Sequence, residues 1–215
     1  MLDWIYNIIK LLLLLILPFI LLIRGAVFFH DYHELSASLS LFSSGFITTF
    51  LLFLYLTLMY GKVTGKIGNG NVLKRRSIIA LLLVLGYSVY GLFFLSNSNA
   101  KSTEVHAEFT SLHPIVRLSV STILFLDSSL LITDSSRKPE DYKKMGLPSK
   151  KRSLHYKQNS GYVHAIDIRT NSRSETRNKL LQWYFKLMGL NTLRHVGTED
   201  HLHVSLSSHG NPGAI

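Results

Sequence analysis

The sequence predicts an α+β fold: a small antiparallel-sheet domain that follows three transmembrane helices. Two observations predict it. The apolar residues are crowded into three long runs within the first 95 positions. Beyond a polar tract, short β-prone runs then alternate with apolar residues at helical spacing.

The apolar runs cover residues 4–23, broken only by Asn7 and Lys10, then 39–60 and 78–95. A bilayer core about 30 Å thick takes roughly 20 helical residues to cross, so residues 1–95 read as a membrane region that crosses three times. A cleaved signal peptide would have a shorter apolar core ending in small residues. Here residues 11–23 run straight into Arg24. Ionisable groups are nearly absent from the runs, with Lys10 near enough to a helix end to snorkel, which argues against a transport path.

Sidedness follows from the loops, because Lys and Arg resist translocation. Segment 61–77 carries Lys62, Lys66, Lys74, Arg75 and Arg76 without an acid, whereas the preceding loop sets Arg24 against Asp31 and Glu34. The expected chain is a multi-pass membrane protein with its N-terminus in the cytoplasm and everything after residue 95 on the extracytoplasmic side. Arg24 alone weighs the other way. The His30, Asp31, His33 and Glu34 group reads as a solvated interfacial loop.

With no cysteine among 215 residues, a domain in an oxidising compartment has no disulfide framework and must rest on a core or a metal. From Ser96 onward 16 Lys and Arg face 10 Asp and Glu, which suits an anionic partner such as lipid headgroups or a wall polymer. No nucleic-acid-binding motif accompanies the charge, and the expected location disfavours that partner.

Within the second half, Ser96-Asn-Ser-Asn-Ala-Lys-Ser opens a linker over residues 96–111, and the domain proper is expected over 112–215. Pro114 stands at a first helical position ahead of Ile115, Val116, Leu118, Ile123 and Leu126. Strands are expected over 130–133, 162–168 and 202–206, with a long polar loop over 138–152. Ser172 with Glu175 forms a capping box. It opens a helix whose Leu180, Leu181, Tyr184, Phe185 and Met188 face the core, and Gly189 ends it.

His155, Asp167 and His203 are the candidate metal ligands. Neutral imidazole and ionised carboxylate are ordinary zinc donors, and three of them leave a fourth position free for water, as a catalytic zinc requires. Alternation along a strand puts His201 on the same face as His203 and turns His164 away from the face of Asp167, so His164 reads as packing or surface.

Three segments carry a resemblance: Ile132-Thr-Asp-Ser-Ser-Arg137, Ser153-x-His155 followed by Ala165-x-Asp167-Ile, and Asp200-x-x-His203-Val. In order and approximate separation, over about residues 112–206, they resemble the LAS metallopeptidases, the zinc D-Ala-D-Ala carboxypeptidases and L-Ala-D-Glu endopeptidases of cell-wall metabolism. The resemblance implies a bound zinc on His155, Asp167 and His203, and a peptidoglycan peptide as substrate. It also implies Asp200 as catalytic carboxylate and Arg137 as the arginine that holds substrate and developing oxyanion. His201 is the alternative proton carrier, since some relatives close with His-x-His. Two departures stand out: the His155 to Asp167 segment is longer than the family pattern, and Val163 occupies its glycine position. Either Gly161 makes the tight turn with a bulged loop, or the site is distorted and the domain is a non-catalytic wall-binding or assembly module.

Overall fold

The computed structural model describes residues 2–144, 146, 148, 152–197 and 200–214, and of residues 2–4, 6–15 and 144 the backbone alone. The side chain of Lys10 therefore lies outside the described part. Three helices come first: α1 (Leu2–His33), α2 (Ala37–Thr64) and α3 (Gly70–Phe93). Segments Ile16–His33, Ala37–Thr64 and Gly70–Phe93 are each long and apolar enough to cross a membrane. Ser36 and Asn69 cap α2 and α3 by accepting the backbone N–H groups of Leu39 and Val72. Where α1 and α2 cross, a Cβ on Gly25 would meet Ser44 Oγ at 2.4 Å. The Ser44 hydroxyl donates to Leu22 O at 2.7 Å, so the close approach is also hydrogen-bonded.

The first helix corrects one expectation. Residues 24–33 continue α1 instead of forming a solvated loop, and only residues 34–36 make the turn, with Glu34 at φ 51°. Hydropathy locates the end of an apolar run, whereas a helix ends where its hydrogen bonds do. These ten residues have packing partners above the run. Buried His30 lies in a cluster with His113, His164 and His209, at ring-centroid separations of 4.9, 5.8 and 4.7 Å. Its Nε2 faces Ser207 O at 3.1 Å and its Nδ1 faces Leu35 O at 3.2 Å. Arg24 reaches the last carbonyls of a later helix, Lys186 O and Leu187 O, at 3.5 Å each. Its guanidinium faces that helix end and not a loop.

Residues 96–111 are likewise folded where a linker was expected. They hold two single turns of 3-10 helix and α4 (Thr103–Glu108). Asn99 is buried and donates to Ser128 O and Leu130 O at 2.7 and 2.8 Å, which pins this segment beneath the sheet edge. Helix α5 (Pro114–Leu126) starts at the expected proline, with the His113 ring accepting Ile115 N–H. It packs along α3: a Cβ on Gly91 would meet Leu118 Cδ1 at 2.4 Å, and Tyr87 hydrogen-bonds Thr122.

Beyond α5 come β1 (Ile132–Asp134), α6 (Pro139–Lys144), β2 (Ala165–Arg169), α7 (Glu175–Met188), β3 (Asn191–His195) and β4 (His201–Ser205). The strands form one antiparallel sheet in the order β1-β2-β4-β3. Its inner face, with Ile132, Ile166, Ile168, Leu202 and Val204, shares one core with Ile115, Val116 and Val120 of α5 and with Leu181 and Phe185 of α7.

Four further details differ from expectation. Strand β3 carries no clean apolar alternation and sits at an edge, so pattern does not mark it. Helix α6 lies within the expected loop. The cap of α7 is Ser174, which accepts Arg177 N–H, while Ser172 holds a left-handed φ of 65° in the turn before it. Leu180, assigned to the core face, is exposed, because the buried stripe of α7 is narrower and centred on Leu181, Phe185 and Met188.

Two predictions follow from the packing. Gly91→Val should lower the melting temperature of the detergent-solubilised full chain through overpacking, by the equivalent of about 1–3 kcal/mol. Differential scanning fluorimetry reads this, and an unchanged melting point would contradict the α3–α5 contact. The second concerns His113. Burial first, then the charges of His164, His30 and Arg117, pushes this ring down to about 2, while burial takes His164 down to about 4. A base depressed in the folded state leaves the unfolded chain to take up the proton. Stability is therefore complete above the ordinary histidine range near pH 6.5 and falls as pH drops below it. Between pH 6.5 and 5 one such ring costs about 2 kcal/mol. The melting point should fall over this window, and His113→Asn, which keeps an acceptor for Ile115 N–H, should reduce the slope by about half.

Candidate metal centre

The sheet register builds the site. Asp167 in β2 pairs directly with His203 in β4, and Arg169 pairs with His201. Side chains directly opposite one another share a face with Cβ atoms about 5 Å apart, so Asp167 and His203 are brought together by strand pairing alone. The third member comes from a loop. His155 is oriented at both ends: Ser153 Oγ accepts its backbone N–H at 3.3 Å, and its Nδ1 lies 2.7 Å from Ser135 O. A carbonyl only accepts, so His155 Nδ1 carries the proton and Nε2 presents its lone pair.

That lone pair points at the other two residues. His155 Nε2 is 3.2 Å from His203 Nδ1 and 3.3 Å from Asp167 Oδ1, and the last two atoms are 2.9 Å apart. All three side chains are buried. Zinc bonds of about 2.0–2.1 Å to N and O place tetrahedral ligand atoms about 3.3 Å from one another, so the triangle has nearly the dimensions of one face of such a tetrahedron. Chemistry agrees with size. Three acceptor-bearing atoms face one another, an arrangement satisfied by a proton shared from His203 Nδ1 or by a cation among them. In either case His203 Nε2 is buried without a hydrogen-bond partner among the described residues, as a bare acceptor with the shared proton or as an N–H donor with a cation. Among the described residues this is the one group of three or more His, Cys, Asp or Glu side chains whose ligand atoms converge closely enough to hold a metal ion.

The electrostatics favour the ligating forms. Burial alone would push Asp167 up, but the polar contacts of its carboxylate with the His155 and His203 rings overcome it and hold it well below the ordinary carboxylate range. Burial first, despite the pull of Asp167, pushes His203 down and keeps its ring neutral. Ionised carboxylate and neutral imidazole are the forms that bind a divalent cation.

Arg137 fixes the second oxygen of Asp167. Its Nη2 donates to Asp167 Oδ2 at 2.7 Å and its Nε donates to Asp134 Oδ2 at 2.6 Å. The charges of Asp167 and Asp134 raise its already high pKa in spite of burial. A register shift between Ile132 and Asp134 turns the end of β1 toward Asp167. Buried Tyr142 packs near the guanidinium, 5.4 Å from its ring centre, and hydrogen-bonds Ser153 Oγ at 2.8 Å. Neither Asp134 nor Tyr142 is among the residues singled out from sequence. The one available signal is the spacing of Asp134 three before Arg137, across a turn.

The remaining candidates separate. Asp200 is held by Arg194, whose Nε and Nη2 donate to its two oxygens at 2.8 Å each, and by Thr170 Oγ1 at 2.9 Å. The Arg194 hydrogen bonds lower its pKa, which weakens it as a base. His201 lies nearer the triad, with Nε2 3.8 Å from Asp167 Oδ2 and a quarter of its side chain exposed, stacked on His195 at 4.6 Å. Gly161 takes the tight turn in the long segment. At φ 81° it closes a turn onto Gln158 O at 2.8 Å, so residues 156–162 form a hairpin excursion that returns the chain to Ala165.

A cobalt(II) titration of the purified full chain checks the geometry. One equivalent should give the visible absorption of a four-coordinate site, and His203→Ala or Asp167→Asn should abolish it. Absence of such a spectrum would show that the three donors do not bind a cation. No protein-family model, curated protein or solved structure matches this chain, so the centre rests on the geometry of His155, Asp167 and His203.

Proposed function

We propose that the chain is a membrane-anchored, zinc-dependent peptidase that hydrolyses an amide bond in a peptidoglycan stem peptide or its precursor, with its C-terminal domain on the extracytoplasmic face. One observation carries the reading: the mutual approach of His155 Nε2, Asp167 Oδ1 and His203 Nδ1 to within 3.3 Å, on segments that resemble those of LAS metallopeptidases. The basic balance after residue 95 supports an anionic wall as the surroundings of the substrate.

Zinc on these ligands would supply Lewis acidity, polarising the scissile carbonyl and acidifying water. The rest falls to the chain. His201, partly open to solvent beside Asp167, is the residue we assign to take a proton and return it to the leaving amine. Asp200, whose carboxylate is held by Arg194 and Thr170, is the alternative carrier. Arg137 is first a positioning residue, because two of its nitrogens are committed to Asp134 and Asp167. Its Nη1, 3.5 Å from the Tyr142 hydroxyl, is the edge left for a substrate carboxylate or oxyanion. The engagement of Asp200 favours a second reading, a wall-binding or assembly module that keeps the fold without the chemistry.

Incubation of the reconstituted full chain with a synthetic stem pentapeptide, followed by mass spectrometry, separates the two. The peptidase should cleave it, lose activity with chelator and recover it with zinc, and be inactive as His155→Ala. His201→Ala should retain its metal and lose about 10²-fold or more in kcat, the usual share of a general acid–base group. A larger loss in Asp200→Ala would reverse that assignment. Peptide binding without cleavage would establish the second reading.

A further inference from the structure

The C-terminal domain is joined to the helices by packing and not by a linker, and this fixes the depth at which its surface lies. Helix α5 crosses the end of α3. Arg117 Nη1 donates to Leu92 O at 3.0 Å, Ser121 Oγ donates to Gly91 O at 2.9 Å, and Thr122 meets Tyr87. One further turn places Phe125, with Leu126 next in the chain, near the end of α3, the Tyr90 and Phe125 ring centroids 6.4 Å apart. Phe125 and Leu126 are among the most exposed large apolar residues, at 78 % and 70 %, and Phe93, the last residue of α3, is 72 % exposed. Helix α7 lies at a similar depth. Its Met188 packs with Leu22, Ile23, Val84 and Leu118, and its Tyr184 hydroxyl donates to Ser119 O at 2.8 Å.

On α7 the stripe next to Tyr184 is apolar and open. Leu180, Trp183 and Leu187 fall within about 60° of one another at 100° per residue, and Trp183 is 66 % exposed. Exposed Lys179 and Lys186 occupy the adjoining stripe. An amphipathic helix with Trp and Leu on one face and lysines beside it matches the bilayer interface, where indole sits at headgroup depth and lysines snorkel to anionic phosphates.

We propose that this surface, α7 through Leu180, Trp183 and Leu187 and α5 through Phe125 and Leu126, seats the C-terminal domain directly in the headgroup layer of an anionic bilayer. The occupant follows from continuity. The stripe adjoins side chains packed on the three candidate spans, so lipid that covers the spans also reaches it, and the flanking lysines complement anionic headgroups. This inference is independent of the metal centre.

The chain has two tryptophans, Trp4 and Trp183, so Trp4→Phe leaves Trp183 as the only indole. The full-length variant is reconstituted in phosphatidylcholine–phosphatidylglycerol vesicles with bromine on the upper acyl chain. Seating predicts that Trp183 emission falls by about half or more, as expected for an interfacial indole in contact with the upper chain, while aqueous acrylamide reaches it poorly. Lys179→Glu with Lys186→Glu should weaken the bromine quenching. Full access to acrylamide without bromine quenching would overturn the proposal. So would acrylamide protection without bromine quenching that grows with protein density, the signature of a second copy or another protein on this face. A second probe, Phe125→Trp in a Trp4→Phe, Trp183→Phe chain, should be quenched by bromine as well, and its failure to respond would remove α5 from the seat.

Discussion

An ionised carboxylate withdrawn from water costs several kcal/mol unless it is paired and hydrogen-bonded, and the second half of this chain is arranged around one such group. Asp167 sits mid-strand in the sheet, buried, with one oxygen shared between His155 and His203 and the other held by Arg137. Each partner has its own support. Strand pairing delivers His203, the Ser135 carbonyl and the Ser153 hydroxyl orient His155, and Asp134 together with the irregular end of β1 delivers Arg137. A change at any of these positions is felt at Asp167.

The same economy governs the seam between helices and domain. Polar residues at the end of α1 look like loop in a hydropathy profile, yet they serve as joints. Arg24 receives the C-terminal carbonyls of α7, and His30 lies among His113, His164 and His209. Gly189, which ends α7 at φ 93°, is constrained twice. Its left-handed backbone suits glycine, and a Cβ there would meet Arg24 and Val27 at 2.7 and 3.0 Å. With residues 96–111 folded against the sheet edge, the domain and the helices share buried residues on both sides of the former boundary. The domain's orientation to the three helices is thus a property of packing and is not left to chain entropy.

Much of this architecture was legible in the residues. The three apolar runs, the proline that opens α5, the helix that ends at Gly189 and three of the four strands follow from period and punctuation, because a 3.6-residue or two-residue repeat reports which face an element buries. The group that could hold a cation was legible too, through the order of the three segments that carry His155, Asp167 and His203. What escaped did so for identifiable reasons. Edge strand β3 buries too little to impose alternation, and Leu180 has an apolar side chain that its position on α7 leaves outside the core.

Sequence alone determined the division into apolar helices and a mixed domain, and the chemical identity of the residues able to hold a cation. Those follow from local composition and spacing. Tertiary structure decided which of them meet. Register puts His203 opposite Asp167, and a loop hydrogen bond selects the His155 tautomer. Arg194 and Thr170 hold the Asp200 carboxylate, partners that its position in the motif does not announce. Such outcomes turn on competition among partners far apart in the chain, and one-dimensional spacing carries no record of who else is within reach.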